Sequence, residues 1–134
     1  MRFEHLIEIN DDNLPLIPAL TRAQLWRGLM VRAERPQLFV IGLDQCRIIE
    51  RDPLSMSREL MFGTLQVFDR VSMTPMQRIV HDVAGNAQMP ASRLTIDIEE
   101  PQAQRLFLRF IYSNEHADRP GEARSEERRV GKEC

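Results

Sequence analysis

Lysine is nearly absent from this chain of 134 residues: from Met1 to Ala123 every strongly basic side chain is arginine, fourteen in all, and the single lysine is Lys132. Cysteine is almost as scarce, with only Cys46 and Cys134, too few to staple a disulfide framework. No apolar run approaches the roughly 20 residues that cross a bilayer, and the opening Met1 to His5 leads into alternating residues with no signal-peptide core. The formal charge is -2 and the arginines are scattered singly, so neither a nucleic acid nor a membrane is expected as partner. The expectation is a cytoplasmic protein. A Gly-rich phosphate loop, paired-cysteine zinc spacing, a His-Glu-x-x-His helix and a nucleophile elbow are all missing, and no cofactor or metal is implied. What remains is an ordinary globular composition, 43% apolar and 28% charged, with room for one domain.

The lone lysine sits in a tail that reads differently from the rest. Residues Arg124 to Cys134, Arg-Ser-Glu-Glu-Arg-Arg-Val-Gly-Lys-Glu-Cys, are reproduced codon by codon by a widely used short-read sequencing adapter read in one frame. The reading is therefore a domain over residues 1–123, incomplete at its C-terminus, and an adapter-derived, disordered segment over 124–134. A natural charged terminus is the plain alternative. Codons unlike the adapter at the locus would overturn the first reading. Without the tail the charge is about -3 and Cys46 stands alone. Glu115 to Ala123, with Pro120 and Gly121, reads as a loop leading onward.

Periodicity divides the rest. Phe3, His5, Ile7 and Ile9 alternate against Glu4, Leu6 and Glu8, a half-buried strand stopped by the Asn10 to Asn13 cluster. Leu14 to Leu20, with Pro15 and Pro18, is an apolar connector. Thr21 is a good N-cap, and Leu25, Leu29 and Arg32 with Trp26, Met30 and Ala33 give helical spacing over about 21–35, ended by Pro36. Strand-like runs follow near 45–51, 56–62, 65–73, 77–83, 92–99 and 105–113. Gly63-Thr64 suits a two-residue hairpin, and Thr74-Pro75 and Glu100-Pro101 mark further turns. One strand, a helix and six consecutive antiparallel strands make an α+β domain with one curved sheet of about seven strands. A single helix of about 22 Å cannot cover such a sheet.

Laid out this way, the chain resembles the START-like (SRPBCC) superfamily, and within it the AtaL-like branch. The likeness is carried by Arg2 to Asn10, Leu20 to Leu29, the hairpin arm Arg58 to Gly63 and Ser92 to Glu100, and runs from about Arg2 to Tyr112. It implies a helix-grip fold, in which a long C-terminal helix lies across the sheet around an apolar cavity. That grip helix is missing from this sequence, and the adapter-like tail begins where it belongs. A helix of about 20 residues offers several apolar side chains at roughly 1.5 to 3 kcal/mol each on burial. The chain as written is therefore expected to be unfolded or aggregation-prone when expressed. A cooperative thermal transition of a soluble monomer would count against this. The resemblance implies binding of a small hydrophobic molecule, with a polyketide cyclase or aromatase as the alternative. It supplies no catalytic residues.

Each candidate residue has a plain reading beside the functional one. Turning on Gly63-Thr64, the hairpin sets Phe62 opposite Leu65, Leu60 opposite Val67 and Arg58 opposite Asp69, with Val71 continuing that face. Arg58 and Asp69 are then either a marginal cross-strand pair worth about 0.2 to 1 kcal/mol or the polar end of a ligand cavity. Glu59 and Arg70 fall on the opposite, solvated face. His5 is a core histidine or an inward acid-base group, and Tyr112 serves a core hydrogen bond or a ligand. Trp26, Met30, Phe39, Phe68 and Phe110 read as core before cavity lining. Cys46 reads as a structural thiol. The cavity candidates are His5, Trp26, Arg58, Leu60, Phe62, Val67, Asp69 and Tyr112. His5, His81 and His116 lie on separate elements, and no metal site is expected.

Overall fold

The structure is a computed structural model that describes residues 1–10 and 18–114. The adapter-like tail, Cys134, His116, the loop at Pro120 and Gly121, and most of the connector after Asn10 lie outside the described residues.

The expected elements form close to their expected bounds. Strand β1 is Arg2–Glu8, α1 is Arg22–Glu34, and a short 3-10 turn follows at Pro36–Leu38. Then come β2 (Gln45–Asp52), β3 (Ser55–Phe62), β4 (Leu65–Thr74), β5 (Arg78–Val83), β6 (Ser92–Gln102) and β7 (Arg105–Asn114). They build one seven-stranded antiparallel sheet in the order β1-β7-β6-β5-β4-β3-β2. Register shifts between Ile48 and Glu50 and between Glu99 and Gln102 are bulges, which increase local twist and curve a sheet.

Helix α1 starts where the sequence says it should. The Thr21 hydroxyl accepts from the Gln24 backbone while the Gln24 side chain accepts from the Thr21 backbone, a complete capping box. Leu25, Leu29 and Ala33, four residues apart, are its buried stripe. Pro36 opens the 3-10 turn that ends the helix.

Alternation sends Met56, Val71, Met73, Ile79, Ile96, Ile98, Leu106 and Leu108 to one sheet face, where they pack with the α1 stripe as the main core. Leu43, Leu60 and Val67 form a second, smaller cluster near the β3–β4 turn, with Phe62 against it. A seven-stranded sheet spans roughly 29 Å across its strands, whereas a helix is about 10 to 12 Å wide. Among the described residues, then, the β1 end of the inner face has little cover.

That explains one correction. Phe3, His5 and Ile7 pair with Tyr112, Phe110 and Leu108, as the alternation of β1 implies. Yet His5 is exposed rather than a core histidine, and Ile7 is 38% exposed, because β1 is an edge strand beyond the reach of α1. Phe39 and Phe68 are not core either, at 54% and 43% exposure. Phe39 follows the 3-10 turn, and Phe68 lies between the inward Val67 and Asp69 and so faces outward.

The β6–β7 turn also differs from expectation. Pairing continues past Glu100-Pro101 to Gln102 opposite Arg105, and the reversal falls at Ala103 and Gln104. Pro101 is tolerated because it lies at the bulge, beyond Asp97 where β5 stops pairing. Gln104 adopts φ 67° and is held there: its backbone N–H donates to Glu100, and its carbonyl accepts from Asn10 Nδ2 at 2.8 Å.

Candidate functional site

The β3–β4 hairpin has the register that its glycine turn implies. Gly63 takes φ 65°, and Phe62 faces Leu65, Leu60 faces Val67 and Arg58 faces Asp69. What differs is the depth of the last pair. Arg58 and Asp69 are 4% and 7% exposed, in the interior and not at a sheet margin.

The guanidinium of Arg58 is fully engaged there. Nε donates to Asp69 Oδ1 at 2.9 Å and Nη2 to Asp69 Oδ2 at 2.5 Å, a bidentate fork. Nη1 donates at 2.7 Å to the carbonyl of Ala33, in the last turn of α1, where carbonyls have no partner within the helix. Arg58 therefore ties the sheet to the helix end. Its Nη2 also lies 3.4 Å from Nδ1 of His81, itself buried on β5.

Burial, then the positive charges of Arg58 and Arg32, push His81 down to a pKa of about 3. It is neutral at pH 7. Arg32, on the last turn of α1, is itself pushed down, by burial and then by Arg58. Burial raises the Cys46 thiol, as suits a structural cysteine.

This cluster borders a cavity of about 220 Å³. Its polar wall is Arg32, Arg58, Asp69, His81, Ser92 and Tyr112, and its apolar wall is Pro36, Val40, Val83 and Leu94. The rows of the sheet explain the grouping. Arg58, Asp69, Val83 and Ser92 are successive cross-strand partners, and so are His81, Leu94 and Tyr112 in the next row. The C-terminal end of α1 and the segment after it border the same space through Arg32, Pro36 and Val40.

Two larger hollows, of about 590 and 570 Å³, are less suited to a site. The first shares Arg58, Asp69, Val83 and Ser92 with this cavity and opens outward past Phe68, Arg70 and the Arg93–Asp82 surface pair, and the second is ringed by Arg22 and the Arg78–Asp97 surface pair. The smaller cavity is less open than either and gathers the buried cluster of Arg58, Asp69 and His81, so it is the better candidate.

Of the residues singled out from sequence, the cavity brings together Arg58, Asp69 and Tyr112. Leu60, Val67 and Phe62 belong to the second core cluster, Trp26 packs against the main core, and His5 stands exposed on β1. Sequence reasoning weighs His81 only as a metal ligand and Arg32 only as a helix position, and puts neither among the cavity candidates. Both left a signal: His81 alternates in phase with Ile79 and Val83, and Arg32 sits in the apolar stripe of a helix. Among the described residues, no three of His, Cys, Asp and Glu gather as metal ligands, and no helix is long and apolar enough to cross a membrane.

Comparison with known proteins gives a family and a fold. The family model described as acetylaranotin biosynthesis cluster protein L matches residues 7–133. Comparison with the sequences of curated proteins finds no match. Among solved structures, the chain is similar to the di-domain aromatase/cyclase StfQ from the steffimycin biosynthetic pathway. The TM-score is 0.66 at 13% identity, over 96% of this chain but only 44% of that one. It is similar to the Zhui aromatase/cyclase of Streptomyces sp. R1128, with TM-score 0.63 at 15% identity over 98% of this chain and 84% of that one. The Aha1 protein of Colwellia psychrerythraea also matches, with TM-score 0.57 at 16% identity over 97% and 88%. At such identities the likeness is one of fold, the helix-grip sheet and helix.

Proposed function

The chain belongs to the family of acetylaranotin biosynthesis cluster protein L, and from that premise we propose that it binds a small hydrophobic molecule in the cavity between α1 and the curved sheet. The observation that carries this reading is the wall built by Arg58, Asp69 and His81. Three buried polar side chains satisfy one another at the edge of a space otherwise bounded by Val40, Val83 and Leu94. Apolar walls with a few fixed polar groups are the usual composition of a ligand pocket. At about 220 Å³ the space lies below the roughly 300 to 1,000 Å³ of drug-sized sites, so the occupant is small, a bicyclic ring or less.

Binding is favoured over the cyclase or aromatase reading by the state of these same groups. A general acid or base works best with a pKa near the operating pH. His81 at about 3 is a weak base at pH 7, and both oxygens of Asp69 are held by Arg58.

The test is calorimetric titration of the 134-residue protein, in preparations that show a cooperative thermal transition, with 2-naphthamide, a neutral bicyclic probe. Binding on the order of 100 μM or tighter is expected. Val83→Phe, which places a ring in the cavity, is expected to weaken it at least tenfold with little change in thermal midpoint. No binding to the unaltered protein, or equal binding to the variant, would overturn the proposal.

A further inference from the structure

The cavity holds more donors than acceptors, and its charge does not balance. Among the described residues, its lining carries two guanidinium groups, Arg32 and Arg58, against one carboxylate, Asp69. The carboxylate is spent on Arg58 through both oxygens. Arg32 has no hydrogen-bond or ion-pair partner among the described residues, and only burial and the repulsion of Arg58 act on it. The nearest acidic neighbour in sequence, Glu34, is taken by Arg51. A half-buried cation facing a cavity without a counter-ion is unfavourable unless something else supplies the negative charge.

The neutral groups point to the same chemistry. Arginine only donates, so the contact of Arg58 with His81 Nδ1 requires that nitrogen to accept. The histidine proton then resides on Nε2, and the ring presents a donor of its own. The Tyr112 hydroxyl accepts from Asn114 Nδ2 at 3.3 Å, which leaves its hydrogen to be donated. Arg32, His81 and Tyr112 all line the same space.

We infer that the ligand carries a carboxylate, bound with Arg32 as its counter-ion and with His81 and Tyr112 as neutral donors. This rests on the cavity being a ligand site, and it adds the class of molecule: a small aromatic or alicyclic carboxylic acid. Arg58 does not take part in the ion pair, because Asp69 and the Ala33 carbonyl already occupy it.

The experiment compares 2-naphthoate with 2-naphthamide, near-isosteric probes that differ in charge, by calorimetry at pH 7 on the 134-residue protein. The carboxylate is expected to bind at least about tenfold tighter, as a charge-assisted pair in a partly buried site should. Arg32→Gln is expected to reduce that preference to less than about threefold while leaving amide binding intact, and Arg32→Lys to keep most of it. Because Arg32 has no partner to lose among the described residues, the thermal midpoint of Arg32→Gln should stay level or rise; a fall would assign the residue a structural role. Equal binding of both probes, or a preference that survives Arg32→Gln, overturns the carboxylate inference and leaves the cavity standing. Binding of neither probe removes both.

Discussion

Asp69→Ala is expected to lower the unfolding free energy by about 3 to 5 kcal/mol, read from urea denaturation at pH 7. The size follows from what remains behind. Arg58 is 4% exposed, so losing the carboxylate strands a guanidinium beside His81 and the already repelled Arg32 with only the Ala33 carbonyl to receive it. A loss of that order is a large part of the roughly 5 to 15 kcal/mol by which domains are stable. The surface pairs give the contrast. Arg93 with Asp82 and Arg47 with Glu59 are solvated, with the arginines 61% and 66% exposed, and breaking either should cost about 0 to 1 kcal/mol. The double variant Arg58→Met with Asp69→Leu removes the charge together with its partner. It should recover most of the loss, since a buried ion pair is often replaceable by apolar groups of similar volume. If Asp69→Ala costs less than about 1 kcal/mol, the pair is as exposed as a marginal one, and the wall of the cavity is not where the geometry puts it.

That pair also shows how far the sequence could be read. Pairing of Arg58 with Asp69 follows from local information, the positive-φ glycine at 63 and strict alternation on both arms. Depth does not. It depends on α1 lying over β3 and β4 so that the Ala33 carbonyl, 25 residues away in the chain, reaches the guanidinium. Nothing in either strand records that approach. The same division holds elsewhere: the bounds of α1 and of the later strands, the end of β6 excepted, are legible from caps, alternation and turn residues, whereas the exposure of His5 is set by which part of the sheet a helix happens to cover. For Phe68 alternation alone is decisive, since a residue between inward Val67 and Asp69 must face out. Glu100-Pro101 misled for a different reason, as the bulge absorbed a proline that usually ends a strand. Arg32 and His81 were visible as polar residues on apolar faces, but their meaning lies in a charge count over four strands and a helix, which appears only once the rows of the sheet are assembled.

Acidification is expected to destabilise the fold through His81. The folded-state pKa of about 3 lies below the ordinary histidine value of 6.5, because burial and two neighbouring cations oppose protonation. Between these values the unfolded chain binds one more proton than the folded one, so the contribution of neutral His81 is full above about pH 6.5 and is lost as pH falls toward 3. At roughly 1.4 kcal/mol per pH unit for one proton, the loss at pH 4 is on the order of 3 kcal/mol. Carboxylates titrate in the same range and contribute their own dependence, so the informative quantity is a difference. His81→Gln retains an acceptor for Arg58 and has nothing to protonate. Urea midpoints and slopes taken at pH 7, 5.5 and 4 should show the unaltered protein falling by about 3 kcal/mol more than the variant, with most of the divergence below pH 6. Parallel curves would mean that His81 is solvated or paired with a carboxylate in the folded state. The arrangement in which it stays neutral and donates from Nε2 would then be lost, and with it one of the three donors assigned to the ligand.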